Sequence, residues 1–147
     1  MDLWELVARE RIRDTLARYN WSGDAARLDD LAQRFCEDGE LELRGGEPVR
    51  GRAAIVELLG GVVAAPNPTA QASTVKRIVR HSVTNIRFTE VRPDEARVAC
   101  YFTVFTEIGF DRHGRYRDVF VPVGDDWLIR HRLVSTDSSA ADSTMAR

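Results

Sequence analysis

The 147-residue chain predicts an α+β fold in which three N-terminal helices are packed in a strongly curved, cone-shaped antiparallel sheet. Three observations predict it. Apolar residues recur at three- and four-residue steps in the first 60 residues and alternate in long runs after residue 76, and that change of period from about 3.6 to 2 marks the passage from helices to strands. The runs are separated by short polar turns, and consecutive strands joined so tightly pair antiparallel. In the first long run Val79, His81 and Val83 share one parity while Ile86 and Phe88 share the other. A buried face that switches by one residue is a β-bulge, which bends a sheet and re-aims side chains.

Taken in order, Leu3, Leu6, Val7, Ile12, Leu16 and Tyr19 make the buried stripe of a helix over 3–19, ended by Gly23. Asp24 stands before a second helix over 25–35 with Leu28, Leu31 and Phe35 on one face. Asp38-Gly39 is expected as a turn into an alternating strand over 40–43, closed by Gly45-Gly46. Ile55, Val56, Leu58 and Leu59 place a third helix over 51–59, stopped at Gly60-Gly61. Residues 64–73, with Pro66 and Pro68, form an irregular stretch expected as a lid or pocket-rim loop. Strands follow over 76–91, 97–110, 115–123 and 127–135, with turns at 92–95, 111–114 and 124–126. Past Thr136 the sequence is rich in Ser, Ala and Asp without apolar periodicity, so residues 1–135 are expected as one domain and 136–147 as a disordered tail.

Composition narrows the function. A length of 147 residues suits one core. The net charge of −2 is spread along the chain without a basic stripe, so no nucleic-acid partner is expected. No apolar run approaches the ~20 residues of a membrane span and no targeting signal is read. Cys36 and Cys100 have apolar neighbours and no metal-ligand spacing, the pattern of buried reduced thiols in a cytoplasmic protein. Phosphate loops, zinc spacings and dinucleotide fingerprints are absent from the sequence, so neither a cofactor nor a metal is expected.

Two stretches carry acid–base potential: Tyr19-Asn20-Trp21-Ser22-Gly23-Asp24 and His81-Ser82-Val83-Thr84-Asn85. Asp24 has two compatible readings, an N-cap of the second helix and a catalytic carboxylate. His81 shares the inward parity of Val79 and Val83, where an unpaired imidazole is disfavoured. Tyr19 closes the stripe of the first helix, as core or at the pocket edge. His131 shares parity with Trp127, Ile129 and Leu133 and is expected to face inward, leaving Arg130 and Arg132 on the outer face. His113 is expected in a solvated hairpin turn. The run Arg115-Tyr116-Arg117-Asp118 reads as cross-strand ion pairing, with Asp118 facing the pocket as the alternative.

The helix end Tyr19 to Asp24, Phe35-Cys36-Glu37-Asp38-Gly39, the run from His81 to Phe88, and the stretch from Gly114-Arg115-Tyr116-Arg117-Asp118 to Trp127-Leu128-Ile129-Arg130-His131-Arg132 together resemble a SnoaL-like domain of the nuclear transport factor 2-like superfamily. The resemblance covers about residues 1–135 and implies the cystatin-like α+β barrel. Scytalone dehydratase, hexachlorocyclohexane dehydrochlorinase and bile-acid 7α-dehydratase of this superfamily carry an aspartate and a histidine where Asp24 and His81 stand, and the last a tyrosine where Tyr19 stands. In such a pair the carboxylate fixes the imidazole tautomer, leaving the other nitrogen to remove a proton next to a departing hydroxide or halide, while Tyr19 donates to the oxygen that gains charge.

The chain departs from the pattern where scytalone dehydratase holds a second pocket histidine and the bile-acid enzyme a further aspartate; its nearest residues are Val104, Thr106 and Glu107. Trp21, Phe102, Val104, Thr106, Phe120 and His131 are the expected substrate-binding residues. The expectation is a cofactor-independent dehydratase or lyase acting on a small, apolar, ring-containing molecule. Isomerisation, polyketide-type cyclisation and a non-catalytic binding role on the same fold are the alternatives. Strands with apolar residues on both parities, such as 98–104, suggest a homodimer through the outer sheet face.

Overall fold

Helix α1 (Leu3–Asp24) opens the chain in the computed structural model, which describes residues 1–64 and 76–143. It buries Ala8, Ile12, Thr15, Leu16, Tyr19 and Asn20, so the stripe forms from its second turn onward. Leu3, Leu6 and Val7, expected in that stripe, lie exposed. The helix also runs through Gly23, its expected stop. It ends instead on Ala26, whose φ of 59° is left-handed, with Ala26 N–H donating to Gly23 O at 3.0 Å and Arg27 N–H to Ser22 O at 2.9 Å. Those two bonds are the Schellman closure of a helix C-terminus. Asp24 is therefore the last residue of α1 and not an N-cap; the short α2 (Leu28–Ala32) begins after Arg27, which makes no side-chain cap bond.

Strand β1 (Phe35–Leu43) absorbs Asp38-Gly39, expected as a turn. Its register against the last strand jumps between Phe35↔Ile129 and Glu40↔His131, so the pair forms a wide bulge. Gly39 is needed there, because a Cβ would lie 2.9 Å from both Ile129 O and Phe35 Cβ. The two-residue β2 (Val49–Arg50) has no apolar alternation to reveal it. Helix α3 (Arg52–Ala64) continues through Gly60-Gly61, with Leu58 and Leu59 packed against the core. The proline-bearing stretch expected as a rim loop lies outside the described residues apart from its first position.

Four long strands complete the sheet: β3 (Val79–Val91), β4 (Ala96–Thr106), β5 (Gly109–Val123) and β6 (Asp126–Ser139). The order is β2-β1-β6-β5-β4-β3, with the last four an antiparallel meander and β1 parallel to β6. The sheet curves without closing around the helices, α1 packing on β3 and β6. The bulge read from parity is in β3: its register shifts between Thr84 and Arg87, and Asn85 takes a left-handed φ of 53°, which asparagine tolerates better than most residues.

Strand β5 begins earlier than expected. Thr106 pairs with Gly109, whose φ is 92°, so Glu107-Ile108 makes the hairpin turn and Asp111-Arg112-His113-Gly114 is strand. His113 is thus an exposed strand residue and not a turn residue. Strand β6 hides a further bulge: Ile129 pairs with Phe120 and His131 with Val119, leaving Arg130 extra. This reverses the expected parity beyond it. Arg132 points inward and is fully buried, while His131 turns out to meet Glu42 Oε2 at 3.1 Å. On β4 the inward row runs from Ala96 through Val98, Cys100, Phe102 and Val104 to Thr106, and Tyr101 and Phe105 stand exposed on the outer face. β6 extends to Ser139, four residues past the expected strand end. Cys36 and Cys100 are buried and unlinked, and no helix among the described residues is long and apolar enough to cross a membrane.

Candidate active site

Asp24 and His81, 57 residues apart, meet through the two backbone irregularities just described. The Schellman turn leaves the Asp24 carboxylate at the end of α1, and β3 passes alongside it. Asp24 Oδ1 lies 2.5 Å from His81 Nδ1, and Asp24 Oδ2 accepts the His81 backbone N–H at 2.9 Å. A carboxylate at a helix C-terminus faces the negative end of the helix dipole, so both oxygens are satisfied by β3 rather than by α1. With Nδ1–H donating to the carboxylate, the lone pair of the imidazole is on Nε2. The His81 ring also lies 6.3 Å from the ring of Phe102.

A cavity of about 740 Å³ opens inside the curved sheet, with Tyr19, Asn20, His81, Phe102, Tyr116 and Arg112 among its walls. Gly114 shapes it, since a Cβ there would meet Ser135 O at 2.0 Å and Phe102 Cζ at 2.7 Å. Leu28, Leu31, Leu43, Leu59 and Val134 add apolar surface, and Asp137, Ser138, Ser139 and Ser143 line its C-terminal side. The last of these is pinned: Ser143 Oγ donates to Asp111 Oδ1 at 2.7 Å, and Ala140 N–H to Asp111 O at 2.7 Å. A second cleft of about 500 Å³ reaches Asp24 from the outer side, between α1 and β3.

Behind the cavity floor is a buried charge pair. Arg132 Nε and Nη2 donate to the two oxygens of Asp118, each at 2.8 Å, with both side chains fully inaccessible. The guanidinium carbon lies 3.8 Å from the centre of the Tyr116 ring and 4.2 Å from that of Tyr19, a double cation–π contact. Phe102 stacks on Tyr116 at 4.7 Å. Burial works against the charge of Arg132, but the Asp118 carboxylate outweighs it, so its pKa is raised above the ordinary arginine value. Burial also raises the pKa of Tyr19 and of Tyr116, against the pull of Arg132. Both phenols are therefore neutral donors at neutral pH. Tyr116 Oη donates to Asn20 Oδ1 at 3.3 Å.

Of the residues singled out from sequence, Asp24 and His81 are in contact, and Tyr19 and Phe102 line the cavity. Trp21 is exposed and borders the outer cleft instead, because it faces away from the sheet on α1. Val104 and Phe120 are fully buried core side chains and line neither space, while Thr106 is tied to Asp111 Oδ2 at 3.3 Å. His131 is turned out by the Arg130 bulge. Asn20, Tyr116 and Arg132 were not placed at the site by sequence, and Asp118 only as the alternative to cross-strand pairing; their signal lay in the alternation of Tyr116 and Asp118 within a polar run, and in a bulge that nothing around Arg130 announces. Among the described residues no group of three or more His, Cys, Asp and Glu could hold a metal ion.

A family model described as a SnoaL-like domain matches residues 4–133. No curated protein matches the chain. Among solved structures, a Mycobacterium tuberculosis protein of unknown function is 26% identical with a TM-score of 0.71, over 90% of this chain and 73% of that one. A Nostoc punctiforme protein of unknown function with a cystatin-like fold is 19% identical at TM-score 0.75, over 90% and 93%. A candidate scytalone dehydratase from Novosphingobium aromaticivorans is 22% identical at TM-score 0.77, over 99% and 96%.

Proposed function

The chain belongs to the SnoaL-like domain family, and from that premise we propose that it is a cofactor-independent acid–base enzyme that eliminates water from a small, largely apolar, ring-containing molecule. The observation that carries this reading is the Asp24–His81 contact at the wall of the cavity. His81 borders the cavity and Asp24 does not, so the carboxylate acts on the substrate only through the imidazole. His81 Nε2 removes a proton from carbon beside an activating group, and Asp24 stabilises the imidazolium that forms. Tyr19, kept neutral by burial, donates to the oxygen that gains charge. The imidazolium then returns the proton to the departing hydroxide, so one group serves as base and acid. That closes the cycle without the second acid that Val104 and Thr106 do not provide. The dehydratase name of the Novosphingobium aromaticivorans neighbour supports elimination as the reaction class.

Asp24→Asn tests the reading. It keeps the shape but presents an amide to Nδ1, so the imidazole loses its enforced tautomer. Elimination from a panel of hydroxylated bicyclic ketones, followed by the ultraviolet absorbance of the conjugated product, is expected to fall on the order of 10³–10⁴-fold. Nitrogen NMR of His81 is expected to change from a single tautomer to a mixture. A variant with an unchanged tautomer and full activity refutes the assignment.

A further inference from the structure

The acid–base reading gives Asn20 no task. Asn20 lies one turn before Asp24 on α1 and is 6% exposed. Its Oδ1 takes a long bond of 3.3 Å from Tyr116, and its Nδ2 is buried without a partner among the described residues. Folded proteins leave few buried amide donors unpaired, because the lost bond to water is not replaced. A leucine of similar size on this helix face would carry no such cost. Asn20 and His81 are also the two residues, among those described, that border both the cavity and the outer cleft. The unpartnered donor thus stands in the partition beside the imidazole.

We propose that Asn20 is a substrate-binding residue whose amide donates to a carbonyl oxygen on the substrate, next to the carbon that His81 deprotonates. The proposal rests on the acid–base reading and deepens it, by assigning to Asn20 the carbonyl that activates the C–H bond His81 breaks. The end torsion of an asparagine is broad and roughly two-fold, so rotation about it brings Nδ2 to the cavity surface for the loss of one long bond. His81 Nε2 takes the proton, and the C–H pair forms a carbon–carbon double bond while the carbonyl π pair moves onto the oxygen held by Asn20 and Tyr19. When that pair returns, the double bond shifts to the neighbouring carbon, the carbon–hydroxyl bond breaks, and the hydroxide takes the proton back from His81. The products are an unsaturated carbonyl compound and water, with no oxidant or reductant.

The probes are 1-tetralone, which has the carbonyl, and tetralin, which lacks it, added to the full chain labelled with ¹⁵N. The Asn20 side-chain amide resonances are expected to shift with 1-tetralone and to stay in place with tetralin. No ketone-dependent shift overturns the proposal. The Asn20 share of the preference for 1-tetralone in Kd is expected to be about 2–10-fold, the worth of one neutral hydrogen bond. In Asn20→Leu that share is expected to be lost and only the preference supported by Tyr19 to remain; Tm reports folding separately, because the unpaired Nδ2 is removed while Tyr116 Oη loses its acceptor. A preference undiminished from that of the intact protein, whatever happens to Tm, marks a structural amide and overturns the proposal. Failure of the acid–base reading shows separately, in the Asp24→Asn tautomer and activity, and leaves these binding data readable.

Discussion

Removing the Asp118 carboxylate tests how the floor of the cavity is held. In the intact protein both oxygens are engaged by Arg132 at 2.8 Å, neither side chain touches solvent, and Arg132 Nη1 already makes no hydrogen bond among the described residues. Asp118→Ala leaves a guanidinium that stays charged, clamped between the rings of Tyr19 and Tyr116, with two more unpaired donors. Breaking a buried pair from one side costs about 3–5 kcal/mol. For a chain of this size about 2–4 °C is lost per kcal/mol, so Tm is expected to drop by about 6–20 °C. Urea unfolding followed by tryptophan fluorescence reads the same loss as a lower midpoint at unchanged slope. The double variant Asp118→Leu/Arg132→Met, apolar on both sides, is expected to recover most of the stability. An Asp118→Ala protein within about 1 kcal/mol of wild type would behave as a surface pair does, and would refute the claim that this cation is sealed off from water.

Two further outcomes concern other parts of the fold. Ala26→Gly is expected to stabilise by about 0.5–1 kcal/mol: the left-handed alanine costs about 1–2 kcal/mol, and the extra freedom of glycine in the unfolded chain returns part of it; a destabilised variant in urea unfolding would contradict the Schellman closure. At alkaline pH, burial pushes the Cys100 thiol up from 9.0 to about 12. The unfolded chain therefore loses this proton first, and the stabilisation is whole below pH 9 and lost as pH rises toward about 12. Tyr19 and Tyr116, raised by burial in the same direction, add to the loss above their ordinary value of 10.0. Unfolding free energies measured from pH 9 to 11 are expected to fall less steeply in Cys100→Ala, by about 1 kcal/mol per pH unit; identical slopes would place the thiol in contact with water.

What could be read from sequence follows from how each feature is encoded. The β3 bulge was legible because Val79, His81 and Val83 and then Ile86 and Phe88 are apolar or aromatic on opposite parities, with Asn85 between them to take φ of 53°. The Asp24–His81 contact was legible through the resemblance. Its geometry was not, because Asp24 before Ala25-Ala26 has the pattern of an N-cap, and a left-handed Ala26 leaves no glycine to mark a C-terminus. Asp111-Arg112-His113-Gly114 has turn composition but lies in β5: Asp111 is buried against Thr106 and Ser143, and Gly114 is there to admit Phe102. Turn residues were serving tertiary contacts in each of these cases.

The Arg130 bulge had no such trace, and it decides the most. Trp127, Leu128 and Ile129 are all apolar and all buried, so the residues before it favour neither parity, and a strict alternation continued from Trp127 puts His131 inside and Arg132 outside. One extra residue exchanges them. A histidine inside at that point would have brought a second titrating group under Tyr19 and Tyr116. Instead a permanently charged guanidinium is buried there, neutralised by Asp118, and its two flanking phenols are fixed as neutral donors. The base proposed at His81 needs a neighbourhood whose charge does not change as it takes up and returns a proton. An arginine–aspartate pair behind the cavity meets that need across the working pH range, which an imidazole in the same place would not.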